Sequence, residues 1–178
     1  MQILFKKKVI IIAFTLIVLI GLFIALNNIA QKSSSKTVVL HPSYVSDFSD
    51  DSVLVGFAQN VFIGEIVSEK GNKKLSEYPE TQFNVKVIEN IKGNLSGTVV
   101  VNQEGGYLDK TLYVVENDKM LKQGKKYLFA TRYNKEENFH TVIPVNGKVS
   151  IDSNEKIKDF SNRFKNAYKQ AKYFKDLE

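Results

Sequence analysis

QFNVKVIENI, residues Gln82–Ile91, decides the fold class of this chain. Its first six residues alternate between polar and apolar, so Phe83, Val85 and Val87 point to one side of a strand. The alternation breaks at Ile88, which predicts a β-bulge or a strong bend at that residue. A bulged, strongly curved strand is typical of a small Greek-key barrel.

Further strands are predicted on both sides of this one. Val61–Val67 is apolar on both faces, as expected for a central strand, and its Gly64 indicates a bulge or a close crossing. The other predicted strands are residues 97–102, 126–133, 139–144 and 148–151. Asn146-Gly147 predicts a two-residue hairpin between the last two strands. Residues 70–80 are polar and predict a hairpin-type loop, and residues 105–123 predict no clear element.

Two helices are predicted to flank the strands. Residues 47–60 favour a short helix with Ser49 or Asp50 as its N-cap. Residues 153–178 favour an amphipathic helix, because apolar side chains recur at i+3/i+4 spacing. These side chains belong to Ile157, Phe160, Phe164, Tyr168, Ala171 and Phe174. Packing on the barrel is the simplest interpretation of this apolar face, and a partner groove or the membrane surface is the alternative.

The N-terminal residues predict where the protein works. Lys6–Lys8 precede an uncharged apolar run, Val9–Leu26, whose helical length of about 27 Å is close to the roughly 30 Å of a bilayer core. The lysines favour a cytoplasmic N-terminus, a single-pass anchor and an extracellular main domain. The alternative is a secreted protein whose signal peptide is cleaved near Ala30, although Asn28 is a poor residue for such a site.

The predicted domain organisation follows from this segment. We expect a cytoplasmic basic tail at 1–8, an anchor at 9–26, a linker at 27–46, a barrel at 47–152 and the C-terminal helix at 153–178. The chain has no cysteine, which excludes disulfides, thiolate catalysis and a cysteine-ligated zinc site. Its net charge of +6 falls to about +3 without the three lysines of the basic tail.

The order of these motifs resembles the bacterial relatives of the tissue-inhibitor-of-metalloproteinases/netrin-like superfamily. The resemblance covers about residues 48–145 and rests on 61–67, 83–88 followed by Ile91-Lys92-Gly93, 98–101 and 123–129. It implies an OB-fold barrel that binds partners rather than performing chemistry. The eukaryotic inhibitors ligate a protease zinc through an N-terminal cysteine, so that mechanism does not extend to this cysteine-free chain. The predicted fold class is mainly β with flanking helices (α+β): a small OB-like Greek-key barrel, an N-terminal transmembrane helix and a C-terminal amphipathic helix.

One loop stands out as a candidate binding site. Glu104 follows a predicted strand, Gly105 and Gly106 permit unusual backbone angles, and Tyr107 offers a surface for stacking. Because the loops of OB-folds often bind ligands, these four residues are the predicted ligand-binding residues. A tight turn with a half-buried tyrosine is the alternative interpretation.

The sequence contains no catalytic motif. His41 and His140 are the only histidines, and no HExxH sequence is present, so we predict no catalytic residue, metal site or cofactor. The predicted function is a membrane-anchored, extracytoplasmic, non-enzymatic binding module of the bacterial envelope, and the alternative is an envelope hydrolase or metal-dependent enzyme that uses His140 or His41. The expected partners are the membrane, through residues 9–26, and an envelope protein or anionic envelope polymer. Nucleic acid is not expected as a partner, because no dense basic cluster is interleaved with aromatic residues.

Overall fold

The computed structural model describes residues 36–43 and 46–171. Its strands are β1 (Lys36–Leu40), β2 (Asn60–Lys74), β3 (Pro79–Lys92), β4 (Thr98–Glu104), β5 (Gly106–Leu108), β6 (Thr111–Val115), β7 (Lys126–Asn134), β8 (Phe139–Val142) and β9 (Lys148–Ile151). Its helices are α1 (Asp51–Phe57) and α2 (Asn154–Lys169). No helix within these ranges is long and apolar enough to cross a membrane. The predicted anchor, residues 9–26, and the predicted cleavage site at Ala30 lie outside the described residues.

Five strands close into a small barrel. The order is β2-β3-β4-β8-β7, and β7 also pairs with β2, which closes the sheet on itself. The β4 strand is parallel to β8, where Val101 lies opposite His140, and the other pairings of the barrel are antiparallel. This topology confirms the prediction of a mainly β fold with a small OB-like barrel and flanking helices.

The barrel strands curve where the sequence predicts it. Ile63 lies opposite Glu89 and Gly64 opposite Val87, so Ile88 has no partner on β2 and is the bulged residue. A Cβ at Gly64 would lie 2.5 Å from Val85 Cγ1. The predicted bulge at Ile88 and the predicted close crossing at Gly64 are therefore both confirmed.

The hairpin of β2 and β3 is longer than the sequence indicates. Residues 70–74 and 79–80, predicted as part of a polar loop, continue the ladder, with Asn72 opposite Thr81 and Lys74 opposite Pro79. Polar side chains suit these positions, because most of the extension is exposed or half-buried. Two further register shifts, next to Ser68 and Gly71, bend this part of the hairpin.

The predicted hairpin at Asn146-Gly147 is wrong. β8 pairs with residues 131–134 of β7 and β9 with residues 126–129, so the two strands follow one another along β7 instead of pairing together. Residues 143–147 form the loop between them, held by Ala130 N donating to Gly147 O at 2.7 Å. The local sequence signal was overridden by pairing with a third strand.

Both helices cover one end of the barrel. Asp50 caps α1 by accepting from Ser52 N at 2.8 Å, and Ser153 caps α2. Phe164 and Ala167 of α2 are buried in one core cluster with Leu54 of α1 and Leu128 of β7. The apolar face of α2 therefore packs on the barrel, as in the simplest interpretation of its pattern, whereas Phe174 lies outside the described residues.

A second, three-stranded sheet has the order β1-β6-β5. β1 lies within the segment predicted as a linker, and the hairpin of β5 and β6 lies in the stretch for which the sequence predicts no clear element. Asp109, at the turn of that hairpin, has a φ of 54°. The small sheet places the hairpin against the extended arms of β2 and β3, next to the predicted binding loop.

Candidate functional site

The predicted binding loop, residues 104–107, crosses the hairpin of β2 and β3. Gly105 N donates to Pro79 O at 2.9 Å, and Thr81 Oγ1 donates to Gly105 O at 2.7 Å. Asn72 Nδ2 donates to Tyr107 O at 2.6 Å. The loop is thus pinned to β2 and β3 by hydrogen bonds to its backbone.

The two glycines of this loop are required by the crossing. Gly105 has a φ of 100° and Gly106 a φ of 136°, both in the region that side chains avoid. A Cβ at Gly105 would lie 2.9 Å from Tyr113 O, and one at Gly106 would collide with the Thr81 hydroxyl. The structure therefore gives Gly105 and Gly106 a role in the backbone, and their role in binding stays a prediction.

The side chains of the loop point to different environments. Tyr107 is 53% exposed, so part of its side chain is open to solvent, and the exposure by itself does not separate the binding site from a tight turn with a half-buried tyrosine. Burial raises the pKa of the Glu104 carboxyl, and the nearby carboxyls of Glu80 and Asp118 add to this shift. Asp118 also lines a neighbouring cleft, which the sequence did not predict.

That cleft, which we call the lysine cleft, has a volume of about 420 Å³. Its walls are the connection from β6 to β7, the loop between β8 and β9, and parts of β7 and β9. Its lining consists of Asn117, Asp118, Lys119, Met120, Lys122, Lys125, Tyr127, Val145, Lys148 and Ser150. Four lysines and one aspartate give this lining a net charge of +3, which favours an anion.

An ion pair forms the base of the lysine cleft. Lys148 Nζ contacts Asp118 Oδ1, and the two side chains are only 6% and 3% exposed. Burial lowers the pKa of the Lys148 ammonium, and the Asp118 carboxylate opposes that shift. A buried pair of this kind is held only when its remaining hydrogen-bonding capacity is satisfied.

Gln103 supplies a hydrogen bond to the second carboxylate oxygen of Asp118. Its Nε2 donates to Asp118 Oδ2 at 3.3 Å and to Lys119 O at 3.1 Å, while its Oε1 accepts from Leu121 N at 2.9 Å. Gln103 is itself 1% exposed. The connection from β6 to β7 is therefore braced from below by one buried amide at the end of β4.

Backbone strain is also present at the lysine cleft. Val145 has a φ of 62°, a conformation that β-branched residues rarely adopt, and Asn117 has a φ of 59°. Gly147 permits the tight loop, since a Cβ there would lie 2.6 Å from Ile143 N. Strained residues of this kind persist where the surrounding structure holds them, and they cluster at binding sites.

The two histidines lie in separate environments. His41 is exposed and its Nδ1 lies 2.8 Å from Glu116 Oε2. His140 is 6% exposed, and its Nδ1 is buried with no hydrogen-bond partner among the described residues. Within residues 36–43 and 46–171, no three acidic, histidine or cysteine side chains are grouped so as to hold a metal ion.

Sequence reasoning missed the lysine cleft for a specific reason. Its lysines are spread through residues 119–148, so they form no dense run. The one usable signal was the run from Asn117 to Lys126, which carries four lysines and a Gly at position 124 where a turn precedes β7. Only the pairing of β9 with β7 places Lys148 opposite Asp118.

Comparison with known proteins adds little to this picture. No family model and no curated protein matches the chain. Among solved structures, the chain is similar to the crystal structure of yeast Stn1 and Ten1, with 9% sequence identity, a TM-score of 0.36, and coverage of 80% of this chain and 77% of that one. With this structure among those similar to the chain, our exclusion of nucleic acid as a partner does not stand, and it is corrected and withdrawn. A likeness at this TM-score carries no argument for any ligand of this chain.

Proposed function

We propose that the barrel is a non-enzymatic binding module and that the lysine cleft binds a small anionic ligand. The observation that carries the proposal is a net positive cleft built over a braced, buried ion pair. Because Gln103 and the pair already hold the base of the cleft, little ordering is needed when a ligand enters. The volume of about 420 Å³ lies within the range of small-molecule sites.

The rim of the lysine cleft supplies the attraction. Lys119, Lys122 and Lys125 are exposed, and no ion pair is recorded for any of them in the described part of the chain. Their ammonium groups can donate to carboxylate or phosphoryl oxygens, and hydrogen bonds to charged groups are about twice as strong as neutral ones. The chemistry of the ligand is therefore that of a phosphate or a polycarboxylate.

The geometry favours this module over the alternative enzyme. Neither His41 nor His140 lines the lysine cleft. His140 contacts the aromatic rings of Phe62 and Tyr133, and within the described residues no carboxylate contacts it to orient it as a general base. His41 does contact a carboxylate, that of Glu116, but the pair is exposed and neither residue lines the cleft. An envelope hydrolase that uses either histidine stays a prediction from the sequence alone.

The proposal is tested by titrating the full-length chain with inorganic phosphate and with citrate by isothermal calorimetry. The variant Lys122→Gln/Lys125→Gln removes two rim charges, and Lys158→Gln/Lys169→Gln removes two exposed charges from α2 as the matched control. We expect the rim variant to bind at least about tenfold more weakly, since one hydrogen bond to a charged group contributes about 1.5–3 kcal/mol. The control should bind like the unaltered chain.

Two results would overturn this proposal. The unaltered chain could bind neither anion at low ionic strength, or both double variants could lose affinity equally. Equal loss would mean that only the overall charge of the molecule matters. Affinity should also fall as salt is added, because exposed charges are screened over about 10 Å at 0.1 M salt.

We also propose that the barrel lies outside the cytoplasm. Lys6–Lys8 and the apolar run 9–26 support this location, whether the run is retained or cleaved near Ala30. The resemblance to netrin-like relatives stays a proposal too, and it agrees with a binding role. A membrane-impermeant, lysine-reactive reagent applied to intact cells should label the barrel; labelling that begins only after lysis would show a cytoplasmic barrel.

A further inference from the structure

A second cavity, which we call the histidine pocket, lies apart from the lysine cleft and shares no lining residue with it. It has a volume of about 340 Å³. Its polar and aromatic lining consists of Asn60, Asn94, Ser96, Tyr133, Asn138 and His140. These residues come from the start of β2, the turn between β3 and β4, and the β7–β8 hairpin, so the pocket exists only in the closed barrel.

The turn that forms one wall of this pocket is held in place. Asn90 Nδ2 donates to Leu95 O at 2.6 Å, and Asn90 Oδ1 accepts from Leu95 N at 3.1 Å. Gly93 has a φ of 93° and lies against the Asn60 side chain, where a Cβ would collide. Asn94 and Ser96 are therefore presented at the pocket on a fixed backbone.

The opposite wall of the histidine pocket is aromatic. Tyr133 is 39% exposed, and its hydroxyl donates to Asn138 Oδ1 at 2.9 Å, which fixes the direction of the phenol. The His140 ring packs against Tyr133, with its centroid 4.8 Å from that of Tyr133 and 6.4 Å from that of Phe62. Tyr133 thus offers a braced ring surface to the solvent.

Among the described residues, those that line the histidine pocket include no acidic side chain, lysine or arginine. Burial lowers the pKa of His140, so its imidazole is neutral at pH 7. Amide groups donate and accept hydrogen bonds, as does the hydroxyl of Ser96. A ligand that matches this lining is uncharged, carries several groups that both donate and accept, and has an apolar face for the tyrosine ring.

Sugar rings meet these conditions, because their hydroxyls donate and accept while their axial C–H groups form an apolar face. We propose that the histidine pocket binds a neutral saccharide, with a sugar ring packed on Tyr133 and its hydroxyls bonded to the surrounding amides. Asn60 and Asn94 both line the pocket, so their amides are available to those hydroxyls. A carboxylated sugar is disfavoured, since the lining offers no cation to replace the water that its charge loses.

The experiment is saturation-transfer NMR on the full-length chain, in a buffer free of sugar-based detergents. The probes are methyl α-glucoside, methyl α-galactoside and N-acetylglucosamine, with glucuronate as the charged counterpart. Tyr133→Ala removes the ring surface, and Tyr133→Phe keeps the ring but loses the hydrogen bond to Asn138. Tyr168→Ala is the matched control, because Tyr168 is 38% exposed on α2 and does not line the pocket.

We expect at least one neutral sugar to bind and, in proton–nitrogen correlation spectra of the isotope-labelled chain, to shift the ring signals of His140. Tyr133→Ala should weaken that binding about threefold to tenfold, the usual effect of a single aromatic contact, while Tyr133→Phe and Tyr168→Ala stay close to the unaltered chain. If Tyr133→Ala fails to fold, the His140 shift in the unaltered chain decides the question, because a neutral sugar that binds without shifting those signals binds elsewhere and overturns the proposal.

Three outcomes would overturn the proposal. No neutral sugar binds at millimolar concentration; glucuronate binds more tightly than the neutral sugars; or Tyr133→Ala, folded, binds as well as Tyr168→Ala. Loss of anion binding in the lysine cleft would leave this proposal untouched, because the two sites have separate linings.

Discussion

At the scale of single residues, the most consequential feature is an ion pair buried in the interior of the protein. Lys148 and Asp118 are buried together, and Gln103 completes the hydrogen bonding of the aspartate. A pair of this kind adds little net stability compared with an apolar pair, but breaking it leaves an uncompensated charge in the interior. The effect of a substitution therefore depends on whether one partner or both are removed.

Lys148→Ala should lower the free energy of unfolding by about 3–5 kcal/mol, because the Asp118 carboxylate would stay buried without its cation. The measurement is urea unfolding followed by circular dichroism. The matched control is Lys156→Ala, which breaks an exposed pair with Asp152 and should cost less than about 1 kcal/mol. Equal losses in the two variants would mean that the pair at the base of the lysine cleft is effectively solvated.

His140 should make stability depend on pH. Because burial lowers its pKa below the ordinary value of 6.5, the unfolded chain binds more protons than the folded chain between those two pKa values. The free energy of unfolding should therefore decrease as pH falls below about 6.5, and the full contribution is present above that pH.

His140→Gln should remove this part of the pH dependence between about pH 7 and pH 5, where ordinary carboxyls stay ionised. His41→Gln, the variant of the other histidine, should retain it. Urea unfolding at several pH values measures both. Parallel curves for the unaltered chain and His140→Gln would contradict the assignment.

At the scale of elements, α2 is part of the barrel's core. Phe164 is 1% exposed and packs in the cluster that contains Leu54 of α1 and Ile63 of β2. Ser161 and Lys165 add polar contacts on the same helix, both to Glu89 Oε1 at 2.6 Å. The helix is thus tied to β3 as well as to the apolar core.

Phe164→Ala should cost about 3–5 kcal/mol, the usual cost of removing a buried phenylalanine. Tyr168→Ala, one helical turn later and 38% exposed, should cost less than half as much. Thermal unfolding of both variants provides the comparison. If Phe164→Ala is tolerated like Tyr168→Ala, the helix does not belong to the core and its face is open to a partner.

At the scale of the whole molecule, the two sheets differ in how they are supported. Both core clusters are built from barrel strands, helices and their connections, and neither contains a residue of β1, β5 or β6. β2 pairs with strands on both of its sides, whereas β5 is a short edge strand of three residues. Stability should therefore be lower in the three-stranded sheet.

Hydrogen exchange should reveal this difference. Amides in the buried parts of β2 and β7, residues 61–66 and 127–131, should exchange only through global unfolding, and those of β5 and β6 should exchange faster through local opening. Native-state exchange in increasing denaturant measures the two classes. Equal protection of β5 and β2 would show that the small sheet and the barrel unfold as one unit.

Local patterns were enough to predict many elements of this fold. The bulge at Ile88, the cap at Asp50 and the apolar face of α2 all depend on residues close together in the chain. The two glycines beside Tyr107 serve the backbone crossing, and the binding role of residues 104–107 stays a prediction. Where a third strand intervened, as at Asn146-Gly147, the local pattern failed.

The sequence by itself determined the strand periods, the helix caps and the absence of cysteine, because each depends on neighbouring residues or on composition. Only the tertiary structure decided which residues line the lysine cleft and the histidine pocket. Asp118 and Lys148 are thirty residues apart, and His140 reaches Phe62 only across the closed barrel. Burial and charge compensation are properties of surroundings assembled from distant segments, so no window of sequence contains them.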